Sequence, residues 1–127
     1  ALERPLEDIL SVKEGTTCFE KLSQNATPEV MSEDSGFRLK ILGTLNTVST
    51  VQWYEFTAEP KAELVSEAHG TGSLESLTLC TGELTVIVGD ETQYICKGDT
   101  LRFRTDVTHR LKNEGKEKAH GFMVNLL

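Results

Sequence analysis

The sequence predicts an all-β protein, a sandwich or barrel of about ten short strands. Three observations carry that expectation. Apolar and polar residues alternate with a period of two through most stretches, as in F-R-L-K-I (37–41) and T-L-R-F-R (100–104). Turn-forming Gly, Asp and Asn recur between those stretches at regular spacing. After residue 10, no segment repeats its apolar residues convincingly at helical intervals.

In chain order, residues 1–10 (A-L-E-R-P-L-E-D-I-L) put Leu6, Ile9 and Leu10 on one helical face, with Pro5 suited to a first turn. T-T-C-F-E-K-L (16–22) reads as an edge strand, and residues 23–36 read as loop by composition. Phe37, Leu39 and Ile41 make one face of the next strand, and a turn is expected from Gly43 to Asn46. Residues 49–58 are rich in β-branched and aromatic side chains and stop before Pro60. Lys61 to Ala68 is another strand, leading into the glycine-bearing turn His69-Gly70-Thr71-Gly72. Thr81-Gly82-Glu83 links the strand carrying Glu75 to L-T-V-I-V, and Gly89-Asp90-Glu91 marks a hairpin. Strands are expected at 92–96, 100–104, 107–112 and 119–126. Alternation places Leu77, Leu79, Leu84, Val86, Leu101, Phe103, Val107 and Leu111 in the core. Trp53, Cys80 and Cys96 also read as core residues.

Composition bounds the function. The chain has 127 residues, 38% hydrophobic and 26% charged, enough for one domain with a substantial core. No apolar run approaches the ~20 residues that span a bilayer, and no signal peptide pattern opens the sequence. Three widely spaced cysteines, Cys18, Cys80 and Cys96, favour reduced thiols in a cytoplasm over a disulfide framework. A net charge of −7 argues against this chain gripping a nucleic-acid backbone by itself.

Two stretches carry chemistry. Glu75 shares a face with Leu77 and Leu79, and His109 shares one with Val107 and Leu111. A carboxylate and an imidazole turned towards an apolar interior are costly unless something satisfies them. With His69 they make two imidazoles and a carboxylate, a set suited to Zn²⁺, Fe²⁺ or Mn²⁺ with positions left open for water or a small ligand. The bland alternative is a mutual hydrogen bond between Glu75 and His109 in a barrel without metal. Thr71, Trp53 and His120 are the further ligand-binding candidates. His120 shares a face with Phe122 and Val124, so a satisfied core histidine is its alternative role.

These stretches resemble the two motifs of the cupins. In the first, His69 takes the leading histidine place, Glu75 the carboxylate place and Gly82 the closing glycine. In the second, Gly98, His109 and Asn113 fall at the expected spacing. Thr71 stands where the second histidine belongs, which removes a ligand, and Arg104-Thr105-Asp106 replaces Pro-x-Gly. The opening decapeptide resembles the last turns of a lambda-repressor-like helix-turn-helix domain. The resemblance implies a cupin-type double-stranded β-helix, or jelly-roll barrel, over 13–127, with a short N-terminal helical segment. Residues 1–12 would be the remnant of, or linker from, a DNA-binding domain. It implies the small-molecule-sensing part of a bacterial transcriptional regulator with a degenerate metal site. Such a domain would form a homodimer, stay off membranes, and touch DNA only through the absent domain. The other readings are a metal-dependent enzyme, of dioxygenase or isomerase class, and a dimerising barrel without a ligand.

Overall fold

The computed structural model describes residues 18–32, 36–43 and 50–127. The expected N-terminal helix, the first two residues of the 16–22 strand and most of the turn after Gly43 lie outside the described residues. Ten strands form among the described residues: β1 (Glu29–Met31), β2 (Phe37–Ile41), β3 (Val51–Ala58), β4 (Glu63–Ser66), β5 (Leu74–Thr81), β6 (Glu83–Val88), β7 (Glu91–Cys96), β8 (Thr100–Arg104), β9 (His109–Lys112) and β10 (Ala119–Leu126). The only helical piece among the described residues is the short 3₁₀ turn Gln24–Ala26. Two local expectations fail here. Residues 18–22 are not a strand, and β1 lies instead inside the polar run read as loop. Composition hid β1 because it is an exposed edge that pairs only with β2, so nothing selects an apolar face.

All pairings are antiparallel, in a six-stranded sheet ordered β1-β2-β3-β10-β5-β8 and a four-stranded sheet ordered β4-β9-β6-β7. From β3 onward the chain passes repeatedly between them: β3, β5, β8 and β10 in the larger, β4, β6, β7 and β9 in the smaller. That winding is the double-stranded β-helix expected from the sequence. One apolar cluster joins the two inner faces, with Phe37, Phe56, Leu77, Leu79 and Met123 from the larger sheet and Leu84, Val86, Ile95 and Leu111 from the smaller. Each fully buried Leu or Phe of this set contributes roughly 1.5–3 kcal/mol over its exposed state.

Most of the predicted core is in place, but Val107 is 37% exposed, because β9 begins only at His109 and Val107 lies in the preceding turn. Cys96 is exposed and Cys80 only partly buried; all three cysteines are free. β7 and β10 explain two further differences. Only Ile95 of β7 is buried, so Cys96 faces out. In β10 the inward residues are Ala119, Gly121, Met123 and Asn125, and the outward ones are His120, Phe122, Val124 and Leu126. The inward face looks weakly apolar in sequence because Gly121 has no side chain. It can have none: a Cβ there would lie 2.2 Å from the Thr78 carbonyl oxygen and 2.8 Å from the Phe56 ring. The register between β10 and β5 shifts at this point, between His120 and Gly121.

Candidate functional site

β5 and β9 bring the two sequence motifs to one end of the inter-sheet space. The turn between β4 and β5 is closed by the Ser73 N–H donating to the Gly70 carbonyl, with Gly72 at φ 80°. The loop before β9 laces onto it. His69 N–H donates to Thr105 O at 2.7 Å, and Thr105 N–H donates to Ser73 O at 3.1 Å. Thr105 Oγ1 reaches Ser73 Oγ at 2.9 Å, with both side chains buried. The Arg104 guanidinium bonds the Asp106 carboxylate at 2.8 Å and holds its pKa below the usual carboxylate value, with a smaller contribution from the Gly72 backbone N–H. Arg104-Thr105-Asp106, the departure from the motif, is therefore the strap that fixes one loop to the other.

This lacing brings His69 beside His109, rings edge to face with centroids 5.2 Å apart. Phe103 meets His109 in the same manner at 6.0 Å, and it is also the cross-strand partner of Glu75. His109 is 3% exposed, and its Nδ1 lies 2.9 Å from the Val107 carbonyl oxygen. A carbonyl only accepts, so Nδ1 is the donor in this contact. Burial, and then the neighbouring His109, lower the pKa of His69, which keeps its ring neutral at physiological pH.

Glu75 is 4% exposed. Burial pushes its carboxyl up to about 7, and a hydrogen bond from the Asn125 side chain, its cross-strand partner, pulls the other way. Glu75 Oε2 and Asn125 Oδ1 are both buried without a hydrogen-bond partner. Burial raises the pKa of the Tyr54 phenol, the Glu75 charge adds to that, and Tyr54 Oη donates to Gln52 Oε1 at 2.7 Å. Phe103 thus adjoins both Glu75 and His109, and two buried oxygens beside it, Glu75 Oε2 and Asn125 Oδ1, lack a partner.

The expected metal triad is only partly assembled. His69 and His109 meet, whereas Glu75 turns to Asn125, and among the described residues no three His, Cys, Asp or Glu side chains come together at ligating spacing. As placed, two of the three expected ligands, His69 and His109, share one place and Glu75 stands apart from them. In place of the alternative Glu75–His109 hydrogen bond, Glu75 accepts from Asn125 and His109 Nδ1 bonds Val107 O. Thr71 lies exposed in the turn. Trp53 and His120 stand on the outer face of the larger sheet, not in the core. Trp53 covers Gly43, where a Cβ would lie 3.1 Å from its ring, and His120 Nε2 bonds Glu55 Oε2 at 2.7 Å. Asn113 binds structure: its amide donates to Ala58 O at 2.9 Å and Glu117 O at 2.8 Å.

Asn125 is the site residue that the sequence reading passed over. Its signal was available, as a polar residue in phase with Gly121 and Met123, but the apolar Phe122 and Val124 drew the period to the opposite face.

Comparison with known proteins follows the same lines. The family model Cupin_2 (Cupin domain) matches residues 54–125. The HTH-type transcriptional regulator SutR of Escherichia coli (strain K12) is 29% identical over 100 residues, which cover 76% of this chain. The match takes in 55% of SutR, so the chain spans about half the length of this curated relative. Among solved structures, the Cupin_2 domain of an XRE family transcriptional regulator from Enterobacter cloacae superposes with a TM-score of 0.67 at 20% identity, covering 72% of this chain and 97% of that one. Fe(II) HppE superposes with a TM-score of 0.72 at 14% identity, covering 91% of this chain and 63% of that one. At such identities these two likenesses establish the fold.

Proposed function

The chain belongs to the cupin family, and from that premise we propose that it is the small-molecule-sensing domain of a bacterial transcriptional regulator. The observation that carries the reading is the match to an HTH-type regulator over three quarters of this chain, while about half of that regulator lies outside the match. The reading is supported by the two buried oxygens, Glu75 Oε2 and Asn125 Oδ1, that have no hydrogen-bond partner inside the barrel. In this reading residues 13–127 are the sensing cupin and residues 1–12 lead from a helix-turn-helix domain. The protein works in the cytoplasm as a homodimer that reads two half-sites, and DNA contact belongs to the other domain. The charge of −7 on this chain agrees with that division of labour.

The test uses the full-length gene product. It should bind operator DNA in a mobility-shift assay, the 127-residue chain alone should not, and any small molecule that raises the melting temperature of the chain should change the DNA affinity of the whole. Sub-micromolar, sequence-specific DNA binding by the chain alone would sink the reading.

The adjacent His69 and His109 favour a second form of the reading, with a divalent metal, Zn²⁺, Fe²⁺ or Mn²⁺, held at a degenerate site. Glu75 would have to exchange Asn125 for the metal to complete it. Titration of metal-stripped protein separates the two: a bound metal raises the melting temperature of the parent and not of His109→Ala. Turnover of a substrate by the metal-loaded protein would move the assignment to a dioxygenase- or isomerase-type cupin enzyme.

A further inference from the structure

The two sheets are not joined between β7 and β8. β7 is the last strand of the smaller sheet and β8 the last of the larger, and no ladder links the two. One end of this pair is pinned by the turn 97–99. There the Cys96 N–H donates to Asp99 Oδ2 at 2.8 Å and the Gly98 N–H donates to Leu79 O at 2.7 Å. At the other end, beside Glu91 and Arg104, a crevice of about 280 Å³ opens. Its floor and walls are Val86, Val88, Leu101 and Phe103. Val86 is buried, whereas Val88, Leu101 and Phe103 pack on the core cluster and keep part of their surface uncovered. Core side chains left partly covered in a concave place favour an apolar occupant.

The lips of the crevice carry charge, with Arg102 and Arg104 on β8 and Glu91 on β7. Arg104 is held to Asp106 through Nε at 3.0 Å and Nη2 at 2.8 Å, which leaves Nη1 without a partner among the described residues. The Arg102 side chain has no ion-pair or hydrogen-bond partner among the described residues. Two guanidinium groups stand one strand period apart, and only one of them is neutralised. That arrangement suits a single carboxylate, which a guanidinium binds with paired N–H donors. Glu91 repels a second negative charge on the same ligand. Phe103 joins the crevice to the histidine pair, because its ring meets that of His109 with centroids 6.0 Å apart.

We propose that the effector of this domain is a small monocarboxylate with a hydrocarbon body, its carboxylate received by Arg102 and its body lying in the crevice walled by Val88, Leu101 and Phe103. The proposal rests on the sensor reading above and names its ligand class. An alcohol of equal length keeps the apolar contacts and forfeits the charge. An amine brings a positive charge to two guanidinium groups, and a dicarboxylate brings its second charge to Glu91.

The experiment uses the 127-residue chain, stripped of metal with EDTA so that no carboxylate binds through an ion. Sodium butanoate, hexanoate and octanoate are titrated at millimolar concentration, each beside the alcohol and the amine of equal length, with hexanedioate as the dianion. Calorimetry gives the affinities, and the methyl signals of Val86, Val88 and Leu101 report contact directly. The expected result is that at least one monocarboxylate binds and shifts those signals. Its alcohol and amine, and hexanedioate, should bind at least tenfold more weakly. Arg102→Gln should lose at least tenfold in monocarboxylate affinity, and because Arg102 is exposed the variant should fold as the parent does. Arg110→Gln removes an exposed arginine paired with Glu63 on the smaller sheet, and should bind as the parent does. Absence of monocarboxylate binding, equal binding of the alcohol, or unchanged affinity in Arg102→Gln overturns the proposal. Preference for the amine also overturns it and gives the crevice to Glu91. In those cases the sensor reading still stands, because it fails only if the full-length protein shows no effector-dependent DNA binding.

Discussion

Replacing Glu75 with Gln should remove a large part of the pH dependence of folding between pH 4.5 and about 7. In the unfolded chain this carboxyl ionises near its ordinary 4.5, and in the barrel near 7, because burial opposes the charge. Below pH 4.5 both states hold the proton and the group favours neither. As the pH rises through 4.5 the unfolded chain releases its proton first, so it is stabilised and folding weakens. The weakening continues until the folded carboxyl ionises near 7, and above that it is complete. At ~1.4 kcal/mol for each pH unit, the interval corresponds to about 3 kcal/mol. Gln keeps the size of the side chain and cannot ionise. The assay is urea unfolding of metal-stripped parent and Glu75→Gln from pH 4 to pH 8. The difference in unfolding free energy between the two should grow in favour of Gln by about 3 kcal/mol across that range, since other titrating groups are common to both chains. Parallel stability curves would refute the argument, and would mean that Glu75 is solvated or has a cationic neighbour.

Three more outcomes follow from the packing. Gly121→Ala should lose about 3 kcal/mol in chemical unfolding, because its Cβ would collide with the Thr78 carbonyl and the Phe56 ring at the bulge. Asn113→Ala should cost about 2–3 kcal/mol by the same measurement, since it strips Ala58 O and Glu117 O of a buried donor and Gly115 N–H of its acceptor. His120→Ala should cost less than about 1 kcal/mol, because its pair with Glu55 is partly exposed on the outer face, each side chain at 32%, and it should leave effector binding unchanged. A large loss of binding in that variant would return His120 to the site.

The sequence alone determined the fold class, nine of the ten strands among the described residues and most of the core. Those properties rest on a local period of two and on turn chemistry, and both are written into consecutive residues. It also determined that Glu75 and His109 face inward, because each sits in phase with leucines, and it carried the family motif. Which polar residue meets which was decided elsewhere. The distance from Glu75 to Asn125 along the chain is fifty positions, and only the antiparallel pairing of β5 with β10 makes them neighbours. The face of β10 was misjudged for a related reason: what forces Gly121 inward is the carbonyl of Thr78 and the ring of Phe56, neither of them near in sequence. The meeting of His69 with His109 likewise depends on hydrogen bonds between two loops, made through Thr105, Ser73 and Asp106. Periodicity reports the side of a strand, whereas the partner across the barrel is fixed by register and loop contacts, and these exist only once the sheets have closed.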